Sequence, residues 1–134
     1  MEEEVKTKFV QRYSDLDVWK HSIELVQNIY ELTKSFPQSE VYGLTSQIRR
    51  SSVSVPANIA EGWGRRKTKA FVQFLSISSG SLYELETLLI IAEKQNYINK
   101  KTLENLLNEI EIIGKMLNSL IHKLQIKIEK EANH

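Results

Sequence analysis

The sequence predicts an all-α protein, an antiparallel up-down-up-down four-helix bundle. Three observations carry this. Apolar residues recur at steps of three and four along four long stretches, the period of a helix face. Only five Gly and two Pro punctuate 134 residues, too few for the turns of an all-β domain. The connections between the stretches are a few residues each, which favours antiparallel neighbours. The length and a hydrophobic content of 41% suit one core over residues 14–128. Residues 1–13, with three Glu followed by Lys6, Lys8 and Arg12, form a loosely held, flexible arm, and residues 129–134 a frayed tail.

The first helix opens at Ser14, Asp15, Leu16 and Asp17, which have the spacing of a capping box with Asp in place of Glu. Leu16, Trp19, Ile23, Val26 and Tyr30 then make one stripe, and Leu25, Ile29, Leu32 and Phe36 a second beside it, so a wide face is expected to be buried. Pro37 stops this helix. The second starts near Ser39, carries Leu44, Ile48, Val55 and Ile59, and ends at Gly62 or Gly64, where glycine can take the left-handed conformation of a helix stop. The third starts at Thr68 and runs through Phe71, Phe74, Leu75, Leu82, Leu85, Leu89 and Ala92. The fourth is capped by Asn99 and shows the cleanest repeat: Leu103, Leu106, Ile110, Ile113, Leu117, Leu120 and Leu124.

Composition excludes several chemistries. Without cysteine there is no disulfide, thiolate metal site or cysteine nucleophile, and His21, His122 and His134 are too scattered for a local zinc pair, so neither metal nor cofactor is expected. No uninterrupted apolar run approaches the ~20 residues of a membrane span. The acidic start, Met1 followed by Glu2, Glu3 and Glu4, is unlike a signal peptide. A soluble, cytoplasmic protein without membrane association is the expectation. Gly62, Trp63 and Gly64 lack the Lys-Ser/Thr of a phosphate loop. Ser54, Asn58 and Glu61 share a helix face, but with no suitable base and no free oxyanion donors the reading is non-enzymatic.

The second helix carries more than a core stripe. With Ile48 at the centre of the core face, Gln47, Arg50, Ser54, Asn58, Glu61 and Arg65 fall on one narrow polar stripe. The side opposite the core holds Ser46, Val53, Ala57, Ala60 and Gly64, all small or apolar. Such a face lets another backbone come close and is poorly solvated if left bare. It reads as a subunit interface with Gln47, Ser54, Ala57, Asn58 and Glu61 in or beside a polar network; the alternative is a helix lying centrally in its own bundle. Pro56 removes an amide that would bond the carbonyl of Ser52, so a kink is expected, with Ser51, Ser52 and Ser54 placed to satisfy freed groups.

Charge is segregated although the net is only +1. Residues 40–70 hold Arg49, Arg50, Arg65, Arg66, Lys67 and Lys69 against Glu40 and Glu61, six minus two, or +4. Residues 71–98 hold Lys94 against Glu84, Glu86 and Glu93, or −2. A basic turn between the second and third helices can neutralise phosphates of RNA or DNA; alternatively, its arginines interact with the carboxyl end of the second helix. No recognition helix or aromatic platform supports sequence-specific readout, and Trp63 is read as a packing residue.

The residues Phe36, Pro37, Glu40, Gly43, Leu44, Gln47, Arg49 and Arg50, the run Ser54-Val-Pro-Ala-Asn-Ile-Ala-Glu-Gly62, and Arg65 and Arg66 resemble the family of small four-helix proteins encoded in intervening sequences of bacterial 23S ribosomal RNA genes. Phe71, Phe74, Leu75, Gly80, Ser81, Glu84, Leu85 and Glu86 continue the likeness, which covers about residues 15–125. The accessory variability protein of diversity-generating retroelements looks like a relative. The resemblance implies a ring, a homopentamer, with a basic surface whose positions Arg49, Arg50, Arg65 and Arg66 match; Lys67 and Lys69 are less tied to the pattern. In the retroelement branch that surface is implicated in binding nucleic acid and a reverse transcriptase, while the wider family has no established biochemical activity. The contrasting class is an oligomeric scaffold that docks another protein and has no nucleic-acid role.

Overall fold

The structure, a computed structural model, describes residues 10–133. Residues 1–9 of the expected arm and His134 of the tail lie outside the described residues. Four helices follow in order: α1 (Asp17–Thr33), α2 (Leu44–Gly64), α3 (Thr68–Lys94) and α4 (Lys100–Ala132). There is no strand among the described residues, and the four-helix, all-α architecture is as expected. The helices are uneven, with 17, 21, 27 and 33 residues, so α4 is about twice as long as α1 at ~1.5 Å per residue.

Entry to α1 differs from the expected capping box. Ser14 lies inside a short 3-10 turn, Tyr13–Asp15, and α1 begins at Asp17 with Leu16 as its uncapped N-cap. The capping carboxylate is Asp15, whose Oδ2 accepts the N–H groups of Gln11 at 3.0 Å and Arg12 at 3.1 Å. Tyr13 packs edge-on against Trp19, centroids 5.4 Å apart, and seats the turn on the helix. The wide apolar face of α1 is also narrower than expected. Val18, Ser22, Leu25, Ile29 and Thr33 are buried, while Ile23 and Tyr30 stay exposed. The buried hydroxyls are satisfied, because Ser22 and Thr33 donate to the carbonyls of Val18 and Ile29 one turn back.

After Pro37 a second 3-10 turn, Gln38–Glu40, delays α2 to Leu44, later than the expected start near Ser39. Glu40 explains the delay. Its Oε1 accepts the N–H of Leu44 at 3.0 Å, and its Oε2 accepts the Tyr97 hydroxyl at 2.9 Å. Those two bonds, the backbone one first, hold the Glu40 carboxyl below the usual carboxylate range, and the same contact pushes the Tyr97 phenol up. Phe36 lies against the Tyr97 ring at 5.4 Å, so the α1–α2 and α3–α4 connections are pinned together at one end of the bundle.

α2 runs unbroken through Pro56. Ser51 and Ser52 donate to the carbonyls of Ile48 and Arg49, upstream of the Ser52 carbonyl that proline leaves without its usual partner. The stop is not glycine in a left-handed conformation: Gly64 closes the helix, and Arg66 carries the positive φ of 61°. At the other end, α4 starts as expected, with the Asn99 side chain accepting the N–H of Thr102 at 2.7 Å. It continues to Ala132, past Ile128 where fraying was expected to begin.

Leu25, Ile29, Ile48, Val55, Ile59, Leu75, Leu85, Leu89, Ile113 and Leu117 form the fully buried core, each worth roughly 1.5–3 kcal/mol of transfer free energy. Among the described residues, one helix, Thr68–Lys94, is long and apolar enough by length and composition to cross a bilayer, although no uninterrupted apolar run in it approaches that length. Its buried side chains, Phe71, Leu75, Leu82, Leu85 and Leu89 among them, line the bundle core.

Candidate nucleic-acid interface and subunit face

The α2–α3 turn is held by backbone bonds from Arg65 to the Gly62 carbonyl and from Arg66 to that of Trp63, and α3 begins where Phe71 donates to the Lys67 carbonyl. Trp63 is half-buried and packs edge-on against Phe71 at 5.9 Å, so it packs, as read from the sequence.

The six basic positions separate into two kinds. Arg49 is half-buried: its Nε donates to Thr33 Oγ1 at 2.8 Å, and its guanidinium sits 4.6 Å from the Tyr30 ring centroid. It ties α1 to α2. Arg65 donates to Glu61 at 2.9 Å and lies 5.0 Å from the Phe74 ring, both partners of the ion pair about half exposed. That pair, in the i,i+4 order favoured on helices, contributes a few tenths of a kcal/mol. Arg50, Arg66, Lys67 and Lys69 are exposed and form no ion pair among the described residues. Three of these four cluster at the turn.

The expected polar stripe is also divided. Ser54 and Ser81 hydroxyls lie 2.7 Å apart across the α2–α3 seam, and the Asn58 amide donates to the Ser54 carbonyl and hydroxyl at 2.8 and 2.9 Å. Ser78 adds a bond to the Val55 carbonyl at 2.8 Å. Ser54 therefore joins two helices of the same chain, with Asn58 bonded to it from one turn on in α2. Gln47 and Glu61 remain exposed. Sequence reading missed Ser78 and Ser81; their three-residue spacing within a Ser-rich part of α3 was the available signal. It also missed the link from Glu40 to Tyr97, which nothing local announces across 57 residues.

The seam is close because its residues are small. A Cβ placed on Gly62 would sit 2.6 Å from Phe74 Cβ, closer than packing allows. The opposite, small-residue stripe is not covered by its own bundle: Val53 is 39% exposed, Ala57 and Gly64 are exposed, and Ser46 and Ala60 are half-buried.

Comparison with known proteins agrees with this architecture. A model of the 23S rRNA-intervening sequence protein family matches residues 14–119. A crystal structure of a protein of unknown function from the S23 ribosomal protein family of Bacteroides thetaiotaomicron is similar at 28% identity and a TM-score of 0.72, over 78% of this chain and 97% of that one. No curated protein matches the chain. With the family pattern extending over most of the chain, residues 14–119, the chain belongs to the 23S rRNA-intervening sequence protein family.

Proposed function

We propose that this chain is a non-enzymatic bundle that assembles with copies of itself, as a pentameric ring, and binds RNA or DNA without sequence specificity at the α2–α3 turn. The observation that carries the nucleic-acid reading is the set of exposed cations Arg66, Lys67 and Lys69, none paired with a carboxylate among the described residues. Arg50 is exposed as well, but it lies fifteen residues back along α2 from Arg65 and stands apart from the turn. Arg49 and Arg65 have partners within the chain and act chiefly in holding the helices. The uncovered stripe of Val53, Ala57 and Gly64 supports assembly, and a ring repeats the basic turn around its axis. By its likeness to the retroelement accessory protein, a reverse transcriptase is the protein partner to try first.

A salt titration against a generic RNA duplex tests the binding. Each phosphate neutralised releases condensed counterions, so log affinity falls with log salt by nearly one unit per contact. Replacing Arg66 and Lys67 with Gln should weaken binding and flatten that slope by about 2. No detectable affinity at low salt, or an unchanged slope, overturns the reading in favour of a protein-docking scaffold. Light scattering tests assembly: five chain masses are expected, and a single chain mass at micromolar concentration refutes it.

A further inference from the structure

The outward face of α3 has no partner in its own chain. Ile77, Gly80, Glu84, Thr87 and Ile91 recur at steps of three, four, three and four, so they share one stripe, and all five are exposed. Ile77 is 50% exposed and Ile91 42%. Gly80 lies at the middle of this 27-residue helix, where glycine is the least favourable residue after proline. Nothing lies within 4 Å of the Cβ it lacks. Gly62 is explained by Phe74 pressing on it; within the chain, Gly80 is explained by nothing.

We infer that the α3 stripe centred on Gly80 seats the small-residue stripe of α2 from a second copy of this chain, with Arg50 of one copy opposite Glu84 of the other. The inference rests on the assembly proposed above and names its contact. Two properties select this occupant. The α2 stripe of Val53, Ala57 and Gly64 carries no side chain larger than valine, and the missing side chain at Gly80 lets the two axes approach, since interaxial distance is set by the residues at the crossing. The charges also match: Arg50 and Glu84 are exposed, and neither forms an ion pair among the described residues. An α3 stripe packed on its own copy would supply no cation within two turns of Glu84, the nearest on the exposed side being Lys94. Contact between two different faces is heterologous, the kind that closes into rings.

Gly80→Leu tests this directly, because leucine is a better helix former than glycine. The chain should keep its helical circular dichroism while its assembled mass falls to that of one chain. Charge reversal is the second test, independent of that substitution. Arg50→Glu and Glu84→Arg alone should each weaken assembly tenfold or more by placing like charges opposite, and the double variant should restore it. If the wild-type chain is itself a single copy by light scattering, the assembly reading fails and takes this contact with it. If the wild type assembles and Gly80→Leu assembles equally, or the double reversal fails to restore what the single ones lose, only the contact is overturned.

Discussion

Replacing Gly62 with Ala should destabilise the bundle, although the same change in most helices does the reverse. A Cβ at this position would lie 2.6 Å from Phe74 Cβ and 3.0 Å from Phe71 Cδ1. Phe74 Cβ is bonded directly to the backbone, so no rotamer change moves it away. α2 and α3 would have to separate by about 1 Å to reach ordinary carbon–carbon contact near 3.5–4.0 Å. Forced overpacking costs about 1–3 kcal/mol, and against a backbone-fixed Cβ the upper part, about 2–3 kcal/mol, applies, against roughly 1 kcal/mol gained in helix propensity. The net loss is about 1–2 kcal/mol, a fall in Tm of roughly 3–8 °C for a domain of this size. Gly114→Ala in α4 is the matched comparison: its Cβ would meet only Leu82 Cδ1, at 4.0 Å. That variant should gain about 1 kcal/mol, because it receives the propensity benefit without a clash. Thermal unfolding followed by circular dichroism reads both. A Gly62→Ala chain at least as stable as the wild type would refute the close approach of α2 and α3.

Arg49→Ala should cost about 1–2 kcal/mol by thermal unfolding, through the Thr33 bond and the Tyr30 ring contact, and Arg49→Lys should not restore it, since an ammonium cannot reproduce the planar stack. The same Arg49→Ala change should leave the salt slope of RNA binding nearly unaltered. Thr45 Oγ1 is buried with no hydrogen-bond partner, so Thr45→Val should stabilise by about 1 kcal/mol in a denaturant titration. Glu40 titrates in the folded chain below its ordinary value of 4.5, so its stabilising contribution is complete above that value and is lost as pH falls through the lower folded value. An acid titration of Tm should therefore be shallower below pH 4.5 for Glu40→Gln than for the wild type, and an identical acid limb would show that the carboxylate does not cap α2.

Helical period and capping residues made much of the fold legible. The Thr68 start and the Asn99 cap fall where the pattern places them, and the Leu103 to Leu124 repeat faces the core because every member lies on one side of α4. Misreadings occurred where two local signals competed. Ser14, expected to cap α1, lies instead inside a 3-10 turn that Asp15 holds by accepting the amides of Gln11 and Arg12. Gly62 and Gly64 both looked like helix stops; one is a packing contact, and the left-handed residue is Arg66.

On its own, the sequence determined the class, the number of helices, the core stripes, and the concentration of cations between residues 49 and 69, because each depends on order and spacing along the chain. Which of those cations remain free was decided only by tertiary structure. Arg49 is held by Thr33 and Tyr30 from another helix, a pairing that depends on how α1 lies beside α2. The same holds for Ser54, whose partner Ser81 is 27 residues away, and for Glu40, whose partner Tyr97 closes the far end of the bundle. Period assigns a residue to a face of its helix, and only the packing of helices determines what that face meets.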